Sequence, residues 1–369
     1  MTFQLPDILT RPGRWALAGT PEGQDARLLI ALAMRQKGCG VLHICRDDAR
    51  MATVEAALKF FAPELPVLTL PAWDCQPYDR VSPNAEIAAR RMDTLNRLSG
   101  ERPDAPWLLL TTVNAALQRL PVPDYLRSTG FSATKGARIK PEVLVEYLSR
   151  NGYNRVSTVL EPGEFAVRGG LIDLFPPGSE APYRLDFFGD EVENIRRFDP
   201  ANQRTIDTVD ALSLTAMSEV PLDPDAIARF RSGYRELFGT VTKEDPLYEA
   251  VSAGRRQIGM EHWLPLFFEK MATILDYLPQ AVVTLDPLSS DAADERFKAI
   301  ADHYDARLAA MKRGLEEGGA PYKPLPPERL YLTAGEWQQR LDRFPVGQLH
   351  PFDAVGGPDI TVVDLGGRP

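Results

Sequence analysis

Histidine and cysteine are scarce in this chain, four and three among 369 residues. His43, His262, His303 and His350 form no E-x-x-H or H-x-x-x-H pair, and Cys39, Cys45 and Cys75 form no C-x-x-C pair. A metal centre built on those ligands is therefore excluded, and no metal or cofactor is expected. An odd number of widely spaced cysteines fits reduced, buried thiols. No run of about 18 apolar residues occurs, which excludes a membrane-spanning helix. The opening stretch Met1–Trp15 lacks the basic-then-apolar layout of a secretory leader, and a cytoplasmic location is expected. No G-x-S-x-G elbow offers a nucleophile, and the neighbouring carboxylates Asp190 and Glu191 sit in a turn. No catalytic residue is expected. Positive charge is also short: 42 Lys and Arg against 51 Asp and Glu, a net charge of −9. Gripping nucleic-acid phosphates calls for the opposite balance, so DNA binding by this chain alone is disfavoured. Arg90, Arg91 and Arg97 share one helix with the apolar stripe Ala88, Met92, Leu95 and Leu98. They read as a solvated helix face, with only Arg91 at the stripe.

A phosphate loop is the next absence. After a strand ending near Ala18, Gly19-Thr20-Pro21-Glu22-Gly23-Gln24-Asp25 leads into a helix, where a P-loop would sit. Gly19 and Gly23 remain, but the helix opens on Gln24 and Asp25, with neither the lysine that meets the outer phosphates nor the hydroxyl that meets magnesium. Glu22 and Asp25 put negative charge where phosphate would go, with no compensating cation in the motif. The loop Gly19, Gly23, Gln24, Asp25 is thus expected to be degenerate and non-functional.

What is present is an alternation of strand and helix through the first third. Strands are predicted at Trp15–Ala18, Val41–Cys45, Val67–Leu70 and Trp107–Thr111, with helices between them, one capped by Asp47 or Asp48 and one by Ser82 ahead of Pro83. Such alternation implies a mostly parallel sheet covered on both faces. From Lys135 the pattern changes to one helix, Pro141–Asn151, and then short antiparallel strands as far as Leu214. Helices are predicted again at Asp225–Phe238, Met260–Lys270 and Asp291–Leu315, then a helical turn near Glu336–Leu341, with strands at Ala281–Leu285 and Asp359–Leu365. Pro321–Pro327 is a proline-rich loop. The finish on Gly366-Gly367-Arg368-Pro369, directly after a strand, reads as a fragment boundary.

The most informative segment runs from Glu161 to Asp199, E-P-G-E-F-A-V-R-G-G-L-I-D-L-F-P-P-G-S-E-A-P-Y-R-L-D-F-F-G-D-E-V-E-N-I-R-R-F-D. Strands Glu164–Arg168, Leu171–Phe175, Tyr183–Phe188 and Glu191–Phe198 are separated by Gly169-Gly170, Pro176-Pro177-Gly178 and Gly189-Asp190. Because strand side chains alternate, Tyr183, Leu185 and Phe187 share one face and Arg184, Asp186 and Phe188 the other. Arg168 is on the polar face of its own strand. Two arginines and an aromatic on an outer sheet face have the composition of a protein-binding hot spot. The plainer alternative is a cross-strand charge ladder with Phe188 packed under a neighbouring domain.

These residues resemble the small second domain of bacterial transcription-repair coupling factors, itself similar to the same domain of the excinuclease component UvrB. Pro71-Ala-Trp-Asp-Cys-Gln-Pro-Tyr-Asp-Arg-Val-Ser-Pro83 running into Glu86–Met92 looks like that family's first domain. Gly259-Met-Glu-His-Trp-Leu-Pro-Leu-Phe-Phe-Glu269 looks like the segment that folds back onto it. The resemblance implies an α/β fold: a degenerate P-loop NTPase-like parallel-sheet domain made of two chain segments, 1–134 and 216–369, with a small antiparallel β-rich domain, 135–215, inserted. It further implies a non-catalytic adaptor in transcription-coupled nucleotide excision repair that recruits the excinuclease component UvrA through Arg168, Arg184 and Phe188. That face would be masked by the family's carboxy-terminal domain. Contacts with RNA polymerase and DNA, and the ATP-driven motor, would belong to parts absent here. The alternative is a nucleotide-dependent DNA-binding enzyme related to UvrB. Against it stand the missing P-loop and the direct run from Tyr78 to Pro83, which leaves no room for a DNA-probing hairpin.

Overall fold

A computed structural model describes residues 8–36, 38–102, 104–241, 245–316 and 322–367, with the side chains of 314–316 excepted. The first seven residues, Pro321, and the terminal Arg368-Pro369, on which the leader, loop and boundary readings partly rest, lie outside them. Among the described residues no helix is long and apolar enough to cross a membrane.

Among the described residues the larger sheet has seven strands, all parallel. Four come from the first part of the chain: β1 (Gly13–Ala18), β2 (Val41–Cys45), β3 (Val67–Leu70) and β4 (Leu108–Thr112). Eight strands then build the smaller sheets: β5 (Phe131–Thr134), β6 (Asn154–Arg155), β7 (Glu164–Arg168), β8 (Leu171–Leu174), β9 (Tyr183–Phe188), β10 (Glu191–Phe198), β11 (Thr205–Val209) and β12 (Ala211–Leu214). The last part returns β13 (Val282–Leu285), β14 (Pro345–Leu349) and β15 (Ile360–Asp364) to the large sheet. Its order, β15-β1-β14-β13-β2-β4-β3, wedges β13 and β14 between β1 and β2. The two chain segments therefore form one hydrogen-bonded unit, and neither completes the sheet alone.

Helices α1 (Gln24–Arg35) and α2 (Asp48–Phe61) cover one face through Leu28, Leu29, Leu32, Val54 and Leu58. The other face packs against α3 (Ala85–Ser99) and the later helix Ala334–Leu341 through Met92, Leu95, Trp337 and Leu341. The Asp47 carboxylate caps α2, accepting from Arg50 N at 2.7 Å. A third, aromatic-rich core joins Trp73 and Tyr78 to the helix Pro224–Phe238 and to Trp263, Phe267 and Tyr331.

Several expectations need correction. Met260–Lys270 is a 3-10 turn over Met260–Phe267 followed by an extended Phe268 and a bend, because Pro265 in its middle supplies no N–H to an α-helix. Ser82 does not cap α3. Its hydroxyl donates to Glu261 at 2.7 Å and accepts from Gly259 N, while Asn84 caps the helix by accepting from Glu86 N. Arg91 is not on a solvated face: it is fully buried and chelates Glu219 with Nε at 2.6 Å and Nη2 at 3.1 Å. Only one of the three cysteines, Cys45, is fully buried.

The second sheet has the order β11-β10-β9-β8-β7-β6, antiparallel except for the edge pair β6–β7. Strands β5 and β12 pair separately beside it. The helix Pro141–Arg150 covers its inner face, where Leu144 and Leu148 meet Phe165, Ile172, Leu185, Val192 and Ile195. This unit rests on α3: Ala89 joins its core, and Gly178, at φ 73°, approaches so closely that a Cβ there would collide with the Asp93 carboxylate. Arg256 adds a strap, donating to the Arg150 and Val220 carbonyls at 2.9 and 3.0 Å.

Candidate functional site

The outer face of the second sheet follows from strand alternation. Leu185 is buried, Tyr183 and Phe187 flank it in the core, and Arg184, Asp186 and Phe188 point the other way. Two-residue turns at Gly169-Gly170 and Gly189-Asp190, with Gly169 at φ 59° and Gly189 at φ 60°, close the hairpins and fix register. Asp173 of β8 is opposite Ala166 of β7 on one side and Arg184 of β9 on the other, and Arg196 of β10 continues that row.

This face has two halves. At one end Val159, Ala166, Phe175 and Phe198 form a small buried cluster. It is closed by Gln203, whose Nε2 donates to the Val159 and Pro200 carbonyls. Arg184 forms the boundary, with its guanidinium 4.6 Å from the centre of the Phe198 ring. The other half is open and carries Arg168, Asp186, Arg196 and Phe188. Phe188 is 76% exposed, against complete burial of Leu185 three residues earlier on the same strand. Phe188 is thus an apolar ring left in water beside charges.

The plainer reading holds in part. A charge ladder exists: Asp173 pairs with Arg184, and Asp186 with Arg196 at 2.7 Å. Phe188 packs under nothing, so the ladder does not account for it. Arg168 and Arg184 differ sharply. The Arg168 side chain is 48% exposed, with a single long contact of 3.5 Å to Asp173. The Arg184 side chain is 15% exposed and its fork is already occupied: Nε donates to Asp173 Oδ1 at 2.7 Å and Nη2 to Oδ2 at 2.8 Å. The hydrogen bond to Asp173 raises the Arg184 pKa further above its ordinary value. The Arg184 guanidinium is thus a fixed cation rather than a free fork. Sequence reasoning missed Asp173. The signal was there: an acid in L-I-D-L, alternating outward between two arginine-bearing strands.

The phosphate loop is the second site. Gly19 and Gly23 hold φ of 69° and 85°, and Gln24 opens α1. Where a phosphate oxygen would gather N–H groups, the loop's own carboxylate does so: Asp25 Oδ1 accepts from Gly23 N at 2.8 Å and from Ala26 N at 2.6 Å. Its other oxygen pairs with Arg50. The expectation of no compensating cation is corrected here, because Arg50 arrives from the first turn of α2. It is shared, donating through Nε to Asp286 at 2.9 Å beyond the end of β13 and approaching Glu22 at 3.5 Å. Burial opposes its charge, but bonding to Asp286 and Asp25 outweighs this and raises its pKa. Behind this cluster His43 is buried with Nδ1 2.9 Å from Thr284 Oγ1, and burial lowers its pKa to about 3. Gly367 crosses the loop so closely that a Cβ on it would collide with the Gly19 carbonyl.

His262 is 4.0 Å from Cys75 in the aromatic core, where burial pushes the thiol up to about 12 and the imidazole down to about 4. That combination opposes a thiolate–imidazolium pair. His303 and His350 are elsewhere, on the helix Ser289–Glu316 and just after β14. Among the described residues no cluster of three His, Cys, Asp or Glu side chains is arranged to hold a metal.

A two-segment parallel sheet with a self-filled phosphate loop and an inserted antiparallel unit defines a UvrB-like module. Residues 131–219 match the UvrB interaction domain family. Over 346 residues the chain is 34% identical to a transcription-repair-coupling factor of Haemophilus influenzae, covering 93% of this chain and 29% of that protein. The Escherichia coli protein of the same name is 34% identical over 341 residues, covering 92% and 29%, and that of Rickettsia bellii 32% over 303 residues, covering 82% and 26%. The chain belongs to the transcription-repair coupling factor family, as its UvrB-like module. It spans less than a third of the length of these relatives.

Proposed function

We propose that this chain is the adaptor part of a transcription-repair coupling factor, recruiting the excinuclease component UvrA to stalled RNA polymerase in transcription-coupled nucleotide excision repair. The observation that carries the reading is Phe188, 76% exposed on the open half of a sheet face within the matched interaction domain. Phe188 serves as the apolar anchor, Arg168 as the accessible fork for a partner carboxylate, and Arg184 as the fixed charge between them. The docking unit is the inserted domain, 135–215, together with β5, which pairs with β12. The segments 1–134 and 216–369 make the platform that holds it. In this reading the longer protein masks this face with its carboxy-terminal domain and engages RNA polymerase and DNA through other parts. The location is cytoplasmic, where those partners are found.

The chain has no catalytic step of its own in this reading. The filled phosphate loop supports that, since a nucleotide would have to displace Asp25 from two N–H groups and from Arg50. Titration with a fluorescent ATP analogue is expected to give no saturable signal up to millimolar concentration. Micromolar binding would favour the nucleotide-dependent enzyme instead. The adaptor role is tested by replacing Arg168, Arg184 and Phe188 together with alanine and measuring capture of UvrA. Capture is expected to be lost while the thermal melt keeps its cooperative transition, and retained capture would refute the role.

A further inference from the structure

Asp173 is 3% exposed, between Ile172 and Leu174 of the sheet core, and burying a carboxylate there is expensive unless both oxygens are used. They are. Oδ1 takes Arg184 Nε, and Oδ2 takes Arg184 Nη2 at 2.8 Å and faces Arg168 Nη2 at 3.5 Å. One buried acid thus touches both arginines of the docking face. Arg184 is fixed three ways: a two-pronged bond to Asp173, its guanidinium over the Phe198 ring, and a 3.5 Å contact to Gln203.

We infer that Asp173 is a positioning residue for docking: it pre-orders Arg184 and tethers Arg168, so that an acidic partner surface meets two guanidinium groups already in place beside Phe188. This rests on the docking reading above and adds the residue that organises it. Two simpler roles for Asp173 predict different behaviour. If it only neutralised charge, removing its charge would leave the face more basic and tighten the complex with an acidic partner. If it only stabilised the fold, its loss would lower the melting temperature without changing the kinetics of the folded fraction. Positioning predicts a third pattern. Long, rotamer-rich side chains that are ordered before binding lose less freedom on binding, so disordering two of them speeds dissociation by about tenfold. Association is not slowed, because the long-range attraction is kept or increased.

The test is the binding kinetics of UvrA on the immobilised chain, comparing the parent with Asp173→Asn, Asp207→Asn and Arg168→Ala/Arg184→Ala/Phe188→Ala. Asp173→Asn is expected to dissociate about tenfold faster with association unchanged or faster. Asp207→Asn, which removes the same charge from the Arg197 pair at the β11 edge of the same sheet, is expected to stay within about twofold of the parent. Should Asp173→Asn fail to fold, Arg184→Lys carries the test, because an ammonium keeps the charge but cannot reproduce the planar two-pronged bond. It is expected to show the same faster dissociation. Parent-like or slower dissociation in whichever of Asp173→Asn and Arg184→Lys is folded, with the triple variant inactive, overturns the role of Asp173 and leaves docking intact. A triple variant that binds like the parent overturns docking itself and this inference with it.

Discussion

Replacing Arg91 by methionine is expected to unfold this protein far more readily than its place in an arginine-rich helix suggests. The guanidinium is wholly buried, 5.7 Å from the Trp73 ring, and makes three bonds: two to Glu219 and one, at 2.7 Å, to the Pro71 carbonyl. Methionine keeps much of the volume but leaves Glu219, 5% exposed, with only the Trp73 indole N–H at 3.1 Å as a hydrogen-bond partner among the described residues. Breaking one side of a buried ion pair typically costs about 3–5 kcal/mol. Against a total stability of roughly 5–15 kcal/mol this is a large fraction. The loss falls where three parts of the chain meet: α3, the segment after β3, and the return from the small sheet at Glu219. Adding Glu219→Gln removes the stranded charge while still accepting from Trp73, so the double variant is expected to recover about half of the loss or more. Urea unfolding followed by tryptophan fluorescence reads this directly, because Trp73 is part of the cluster. A single variant within about 1 kcal/mol of the parent, or a double variant no more stable than the single, would refute the assignment of this pair as the clamp.

Acid sensitivity follows from the two buried imidazoles. His43 and His262 are lowered from 6.5 to about 3 and about 4 in the folded chain, so on acidification the unfolded chain takes up protons that the folded chain does not. Stability is thus lost as pH falls through 6.5. Each histidine contributes a loss of about 2 kcal/mol by pH 5, and urea midpoints measured at pH 7.5 and 5 should show it. The raised carboxyls of Asp286 and Glu261 act in the opposite direction as pH falls through their folded values. Gly178→Ala is expected to cost about 1–3 kcal/mol from the positive φ, plus the displacement of Asp93. Gly189→Ala has a similar φ but open space around it and should cost less in the same thermal melts. Asp25→Ala frees the Gly23 and Ala26 N–H groups and one arm of Arg50, and is expected to create millimolar sulfate or phosphate binding that the parent lacks, detectable by calorimetry.

The sequence made the strand–helix alternation legible because β2, β3 and β4 are short apolar runs with clear punctuation. β14 was not legible, although it is central to the sheet. Pro345-Val-Gly-Gln-Leu349 opens on proline and has glycine in its middle, both poor strand signals. The glycine suits the packing, since a Cβ at Gly347 would press into the end of the Leu17 side chain. Proline in the middle of Met260–Phe267 was visible and still read through as helix, because the apolar spacing around it is helical. On the candidate face, alternation sorted Arg184, Asp186 and Phe188 correctly. What it could not give was pairing across strands, since Asp173 meets Arg184 only through the register of β8 and β9. The same limit hid Arg50, which reaches Asp25 from a helix 25 residues away, and Glu219, which reaches Arg91 across 128 residues.

The affinity of UvrA for the parent and for Phe188→Ala bears most directly on the central claim. A ring that is 76% exposed contributes little to folding, so the thermal melts should superimpose. As the anchor of the interface its truncation should weaken binding by about thirtyfold or more, about 2 kcal/mol. Binding of Phe188→Ala within twofold of the parent would contradict the account.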